Sequence, residues 1–380
     1  MKIVMVSMPS LHFFRWTEQL KDSGHEVFWF DIIDGGQKVE RISWVHQIVN
    51  WKIRWNYPGR YFIKTRFPQL YAFIQKFNER NATKVFEKKL LKIKPDVVHS
   101  FALYISCTPI LSVMQRYKNI KWIYSSWGSD LFYYQNIPSY LNEIKKVLPE
   151  IDFLFTDCNR DYELAKKNGF KGDFLGVFPG GGGFYLEKLK KEMLPLNKRK
   201  IILIKGYEGR SGRAINVLKA IKKLKIEVKP YEIIVFGGDA KVFEYTKNNV
   251  LINWNNFTIY DKMPRREVLT LMGKALIYIG NSNSDGIPNT LIEAICMGAF
   301  PMQSNSGGAT EEIIKDGYNG ILIKDCENDK EIKALLLKLL SDSNLIKQAY
   351  SINQKQVKDK YDRVKIKDKV LTKYNKIKTA

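Results

Sequence analysis

The sequence predicts an α/β protein built from two doubly wound parallel-sheet domains, and three observations carry that expectation. The chain has 380 residues, 45% of them apolar, which is too long for one ordinary core and enough to fill two. Short apolar runs alternate with longer amphipathic ones, and the series occurs twice. Between the two series stand four consecutive glycines, Gly180 to Gly183, which suit neither a strand nor a helix interior.

The first series reads "KIVMV" (2–6), "EVFWF" (26–30), "DVVHS" (96–100), "KWIYS" (121–125) and "DFLFT" (152–156). The second reads "IILIK" (201–205), "EIIVF" (232–236), "ALIYIG" (275–280) and "GILIK" (320–324). Runs this apolar are strands covered on both faces, and the helical stretches between them supply the crossovers of parallel sheets. The join falls near 178–198, where the glycines form either a linker or a loop whose backbone approaches a ligand. The predicted domains are 1–184 and 185–350, with 351–380 as a terminal helix that packs back on the first domain or frays as a basic tail.

Residues 41–75 break the alternation. Trp44, Trp51, Trp55, Tyr57, Tyr61, Phe62, Phe67, Tyr71 and Phe73 are interleaved with Arg41, Lys52, Arg54, Arg60, Lys64 and Arg66. Such a mixture suits an anionic lipid interface and equally suits aromatic helices packed on the first sheet. Nucleic-acid stacking fits the composition less well, because no recognition motif accompanies it.

Charge and cysteine usage narrow the class. Lys and Arg number 62 against 39 Asp and Glu, a net charge of +23; such an excess favours an anionic partner or is a solvated basic surface. Cys107, Cys158, Cys296 and Cys326 have no paired spacing, and His12, His25, His46 and His99 form no metal-ligand pattern. A reduced, cytoplasmic protein is expected. The opening "MKIVMVSMPS" reads as a strand and not as a signal peptide. No apolar run reaches about 18 residues, the length of a membrane-spanning helix.

The chemistry concentrates in "NSDGIPNTLIEAICMGAFPMQS" (283–304). A strand ends, a loop carries Asp285, and Pro288 stands at an early position of a helix that Gly298 stops. A loop followed by a helix N-terminus gathers backbone N–H groups and the positive end of the dipole, an anion site suited to a diphosphate. Gly286, Ile287, Pro288, Asn289 and Thr290 compose that site. Glu293, inside the helix, can accept bonds from vicinal hydroxyls of a ribose. Asp285 can reach another part of the same ligand. Downstream, "SNSGGATEEIIKDGYNGILI" (304–323) places a Gly-Gly pair before a helix opened by Glu311 and Glu312.

The ordered set from Met263 to Ile323 resembles the nucleotide-binding half of glycosyltransferase family 4, whose pattern has two glutamates separated by seven residues, a small-residue helix, a strand and a Gly-Gly pair before an acid. The opening strand–helix–strand with its "GHEV" turn, "KPDVVHS" (94–100) and "SSWGSD" (125–130) extend the resemblance over most of the chain. It implies the GT-B fold: two facing Rossmann-like domains, acceptor-binding and donor-binding, with a cleft between them. It implies a retaining transferase that moves sugar from a nucleotide diphosphate sugar to a glycan or lipid-linked acceptor in cell-surface polysaccharide assembly, on the cytoplasmic membrane face. No cofactor or metal is implied, and no nucleic acid. The sequence departs from the family pattern at Asp285, one methylene shorter than glutamate, and at Trp127, where the family often has histidine. Phosphate-binding cations usually follow the first strand of the second domain; Lys205 and Arg210 are the candidates here, with Arg213 in reserve. His99, Trp127 and Asp130 are the acceptor-side candidates. A nucleotide-sugar epimerase of the same fold and a non-enzymatic binding protein are the alternatives. The first lacks a recognisable acid–base set, and the second sits poorly with the Glu293 region and the glycine loops.

Overall fold

The structure is a computed structural model that describes residues 1–379. Its strands form two sheets. The first has seven strands: β1 (Lys2–Ser7), β2 (Glu26–Asp31), β3 (His46–Ile48), β4 (Val97–Phe101), β5 (Lys121–Ser125), β6 (Phe153–Thr156) and β7 (Asp173–Val177). Their order is β3-β2-β1-β4-β5-β6-β7, and neighbours run parallel. The second has six: β8 (Ile201–Lys205), β9 (Glu232–Phe236), β10 (Phe257–Ile259), β11 (Ala275–Gly280), β12 (Phe300–Ser304) and β13 (Ile321–Ile323). Their order is β10-β9-β8-β11-β12-β13, again parallel.

Both sheets are buried on both faces. In the second, Ile202 and Ile204 of β8 join Ile277 and Ile279 of β11 in one core, while Leu203 and Tyr278 join Leu291 and Ile295 in the other. That split follows from the strand period of two, and it explains why the sequence shows continuous apolar runs and no alternation.

Each sheet reverses direction once. In the second, the chain winds outward from β8 through β9 to β10, then returns to β11 on the other side of β8. In the first, the equivalent reversal lies between β1 and β4. Ligands of open α/β sheets bind beyond the carboxyl ends of the strands at such reversals. The loops after β8 and β11 are therefore the place to look in the second unit.

By contacts the chain divides into a first unit, residues 1–156 and 162–181 with the segment from Lys369 onward, and a second, residues 157–161 and 182–368. The last helix, Arg363–Thr379, therefore begins in the second unit and continues into the first. Tyr374 lies fully buried in the first unit, its hydroxyl 3.2 Å from Trp16 Nε1 and 2.6 Å from His99 Nδ1.

Several expectations change. Gly181, Gly182 and Gly183 are buried. Gly183 has φ +77°, and a Cβ there would lie 2.6 Å from Ile366 Cδ1, so this run is packed backbone and not a solvated linker. Strands β3, β7, β10 and β12 were not anticipated as separate runs; β3 and β10 have three residues each. Glu311 and Glu312 sit in a single 3-10 turn, Thr310–Glu312, and open no longer helix. Residues 41–75 prove to be two things: His46–Ile48 pairs with β2, and Trp51 is buried against Phe30 with its indole N–H on the Asp31 carbonyl. Beyond Trp51, the rings of Trp55, Tyr61, Phe62, Phe67 and Phe73 are exposed, while Tyr57 and Tyr71 are half-buried.

Candidate functional site

The loops after β8 and β11 are laced together by their backbones. Arg213 N–H donates to the Asn281 carbonyl at 2.9 Å and Asn283 N–H to the Ser211 carbonyl at 2.9 Å, with an antiparallel bridge between Gly212 and Ser282. Gly212 is required at its position, because a Cβ there would collide with the Tyr207 carbonyl. Ser282 is fixed in turn: its N–H donates to Ser304 Oγ at 2.8 Å, and its carbonyl accepts from Ser306 Oγ at 2.6 Å. The loop tip that carries Asp285 thus hangs on three strand ends.

Asp285 is half-buried, and its own Oδ1 accepts the Gly286 N–H at 2.9 Å. Burial raises its carboxyl above the usual range, while Lys205, the Gly286 N–H, Arg160 and Arg210 all pull it down. Burial thus dominates at Asp285, and the opposing cations are Lys205 at the end of β8, Arg160, and Arg210 in the loop after β8. Arg213 is placed differently: its guanidinium pairs with Glu327 and donates to the Gly212 carbonyl at 2.6 Å.

The helix after this loop spans Asn289–Cys296, so Pro288 is its cap residue and not part of its first turn. No side chain caps this terminus and no acid lies in its first turn, which leaves the positive dipole end without a fixed anion. Ile287 is buried in the core, and Thr290 Oγ1 accepts from Tyr278 Oη at 3.0 Å. Glu293 is buried, 5% exposed, and its Oε1 accepts from Arg265 Nε at 2.7 Å. Sequence reasoning did not single out Arg265, although it lies on the polar-faced helix Arg265–Lys274 just upstream.

A second missed group is the run Asp157–Asp161. Arg160 donates to Asp161 Oδ1 from Nη2 at 2.8 Å, to the Asp285 carbonyl at 2.8 Å and to the Ser306 carbonyl at 2.6 Å. One guanidinium thereby ties the loop after β11 to the turn after β12. Glu312 accepts the backbone N–H groups of Asn159 and Arg160, at 2.7 and 2.9 Å, and so caps the helix Asn159–Lys167 from a distant part of the sequence. Asp157 lies against Gly286, where a Cβ would collide with its carboxylate. Burial and the Asp161 carboxylate raise the Asp157 carboxyl well above its usual range, with Arg160 opposing and Asp285 adding to the rise. Asp157, Cys158 and Asp161 bring ligand atoms within 4.8 Å of one another, the spacing of a metal site. The cation already on Asp161 is the Arg160 guanidinium, and burial keeps the Cys158 thiol protonated. The donor set therefore fits a buried ion pair better than a metal.

In the first unit, Asp130 is buried and its carboxylate accepts from Leu103 N–H at 2.9 Å, Tyr124 Oη at 2.6 Å and Trp127 N–H at 2.8 Å. Its role is to fix the turn that follows β5. Trp127 is half-buried, its ring 6.0 Å from Phe101 and 6.1 Å from His12. Ala102, at the carboxyl end of β4, has φ +65°, a strained conformation for a residue with a side chain. It leads into a single π-helical turn, Leu103–Cys107. Neither feature has a sequence signature.

His99 is not at a surface. It is 0% exposed, with Nε2 2.8 Å from Ser125 Oγ and its ring stacked on Phe101. Both ring nitrogens thus face hydroxyls, Tyr374 Oη at Nδ1 and Ser125 Oγ at Nε2, and neutral His99 donates through one nitrogen and accepts through the other. Burial holds its pKa well below the usual value. Below pH about 6.5 the unfolded chain takes up a proton that folded His99 refuses, so stability falls as pH falls through this window. The unfolding free energy of the first unit is expected to drop by up to about 1.4 kcal/mol per pH unit there, and His99→Gln to flatten that slope, as read from urea unfolding at pH 5 and 7. An equal slope in the variant would assign it elsewhere, with His25, whose pKa is also lowered by burial, the first alternative.

Residues 187–356 match the family described as glycosyl transferases group 1. A stretch of 144 residues is 32% identical to the "Uncharacterized glycosyltransferase MJ1069" of Methanocaldococcus jannaschii, covering 37% of this chain and 36% of that protein. The chain thus spans about a third of that relative's length. Sucrose-phosphate synthase from Thermosynechococcus elongatus superposes with a TM-score of 0.71 at 14% identity, over 100% of this chain and 99% of that one. Anabaena HepE in complex with UDP-glucose superposes with a TM-score of 0.69 at 12% identity, over 100% of both. With the two parallel sheets, these likenesses define a protein of the GT-B fold. The match to the glycosyl transferases group 1 family falls within the second unit, and the candidates from Lys205 to Glu293 all lie inside the matched residues.

Proposed function

We propose that the chain is a retaining glycosyltransferase of family 4, which moves a sugar from a nucleotide diphosphate sugar to a glycan or lipid-linked acceptor in cell-surface polysaccharide assembly in the cytoplasm. The observation that carries the donor half is the reversal point of the second sheet. There Lys205 and Arg210 act on Asp285, beside a helix start with no capping side chain. Breaking the bond from the anomeric carbon to the diphosphate builds negative charge on the leaving group. Cations and helix N–H groups aimed at that charge lower the barrier. Lys205, Arg210 and the Asn289–Cys296 terminus supply such groups, so this reading calls for no metal. Retention follows if the acceptor hydroxyl attacks from the leaving-group side and a phosphate oxygen takes its proton, a route that needs no enzyme nucleophile. HepE, solved with UDP-glucose, supports the donor class.

Glu293 is the group assigned to the nucleotide ribose. Arg265 holds one of its oxygens and fixes the carboxylate in place. A thermal-shift screen with UDP, GDP, ADP and CDP sugars is expected to select one base. Against that donor, Glu293→Ala is expected to lose at least tenfold in affinity by calorimetry, the scale of about 1.5–3 kcal/mol for hydrogen bonds to a charged group. Glu293→Gln controls for packing. Unchanged affinity in Glu293→Ala would remove the assignment, and no shift with any nucleotide sugar would remove the reading itself.

A further inference from the structure

The segment 51–78 contains six Lys or Arg and nine aromatic residues, and no Asp or Glu. Its base is stapled. Trp55 N–H donates to Asn78 Oδ1 at 2.8 Å, Asn78 Nδ2 donates to the Trp55 carbonyl at 3.0 Å, and Arg54 and Arg80 N–H groups donate across the same neck to the Asn78 and Lys52 carbonyls. Between the two sides of that neck run two short helices, Arg60–Arg66 and Pro68–Asn78. The first has no buried residue. Along the second, Leu70, Phe73 and Phe77 recur at spacings of three and four, which is one helix face, and all three are exposed.

Exposure on this scale is costly for a merely structural element. Trp55, Tyr61, Phe62 and Phe77 are 61–71% exposed, and rings that large ordinarily fill cores or interfaces. Two ring pairs form, Phe62 with Phe67 and Phe73 with Phe77, at centroid distances of 6.1 and 5.5 Å, on two helices that pack against each other, so the exposed rings are clustered and not scattered singly. Clustered apolar surface of this kind marks a docking site. The charge decides the occupant. Among the described residues Arg54, Lys64, Arg66 and Lys76 have no ion-pair partner, so the rings are ringed by uncompensated positive charge. A second copy of this chain would set like charge against like. A bilayer with anionic headgroups meets the cations with phosphates and takes the rings into its interfacial layer. Among the described residues no helix is long and apolar enough to cross a membrane, and helices of seven and eleven residues suit lying in the interface.

We propose that the two-helix projection 52–78 is a monotopic docking surface for an anionic phospholipid bilayer. It rests on no assumption about the reaction. The test is co-sedimentation of the full chain with large vesicles of phosphatidylglycerol and phosphatidylcholine (3:7), against phosphatidylcholine alone, at 0.1 M salt. Partition is expected to be at least tenfold higher with phosphatidylglycerol and to fall severalfold at 0.5 M salt, as screening shortens the reach of the charges. Two variants separate the components. Lys64→Glu/Arg66→Glu/Lys76→Glu removes the charge, and Phe62→Ala/Phe73→Ala/Phe77→Ala removes the rings. Each is expected to lose at least tenfold in partition with an unchanged melting temperature and unchanged nucleotide-sugar shift. If the ring variant does not fold, the charge variant, made at exposed side chains, decides. Equal partition into both vesicle types, parent-like partition of the charge variant, or a concentration-dependent dimer that the ring variant abolishes would each overturn the proposal.

Discussion

Arg160→Ala is expected to lower the melting temperature of the second unit by about 6 °C or more, which is about 3 kcal/mol for a unit of this size. The physical ground is Asp161. Its side chain is 0% exposed, and the Arg160 guanidinium, 10% exposed, is its counter-charge. Removing one member of such a pair leaves a carboxylate in a medium that solvates it poorly, at a cost of about 3–5 kcal/mol. The same truncation frees the Asp285 and Ser306 carbonyls from their shared donor. Arg160→Lys keeps the charge and loses the fork that reaches three acceptors at once, so it is expected to recover part of the stability only. Arg160→Ala combined with Asp161→Ala removes both members of the pair and is expected to be more stable than Arg160→Ala alone. A single variant within about 1 kcal/mol of the parent would show that the pair is not the brace described here.

Asp285→Asn is expected to lower kcat by about 100-fold or more with little change in KM, the scale of losing one preorganised electrostatic contact at the reacting centre. The substitution keeps the shape and keeps an oxygen for the Gly286 N–H, so it removes charge and little else. Under the proposed reaction positive charge develops on the sugar as its bond to the diphosphate lengthens, and an anion at the loop tip stabilises that change and not the bound ground state. The stability effect runs the other way. Because burial raises the folded pKa of Asp285, the ionised form costs folding free energy as pH rises through that value. The asparagine variant carries no such cost and should melt at or above the parent temperature near pH 7. Turnover within threefold of the parent would remove Asp285 from the reaction.

How much of this was legible differs by element. The strands β1, β2, β4, β5, β6, β8, β9, β11 and β13 announced themselves because a strand covered on both faces must be apolar throughout. β3 and β10 are too short to carry a pattern, and β12 contains Pro301, a residue that argues against a strand between two neighbours. The loop of Asp285 and the helix of Glu293 were readable because a turn, a glycine and a helix start leave local marks. Arg265, Arg160 and Glu312 were not, since each meets its partner across 28, 125 and 153 residues of chain, and a side-chain contact at such separation leaves no local spacing. The 41–75 segment shows the same limit from the other side. Composition could not separate Trp51, which is core, from Trp55, four residues on, which faces water.

The partner of His99 also has a consequence in time. Tyr374 stands 275 residues downstream of the histidine it completes. At a ribosomal speed of about 5–20 residues per second, β4 waits roughly 14–55 seconds for that hydroxyl. Throughout the wait the nascent amino-terminal sheet has a gap in its interior, while the continuous stretch from Gly182 to Asp368 emerges with most of its own contacts in hand. The half made earliest is thus the half sealed latest, and a ribosome that stalls before Tyr374 releases a chain whose first sheet has never been closed.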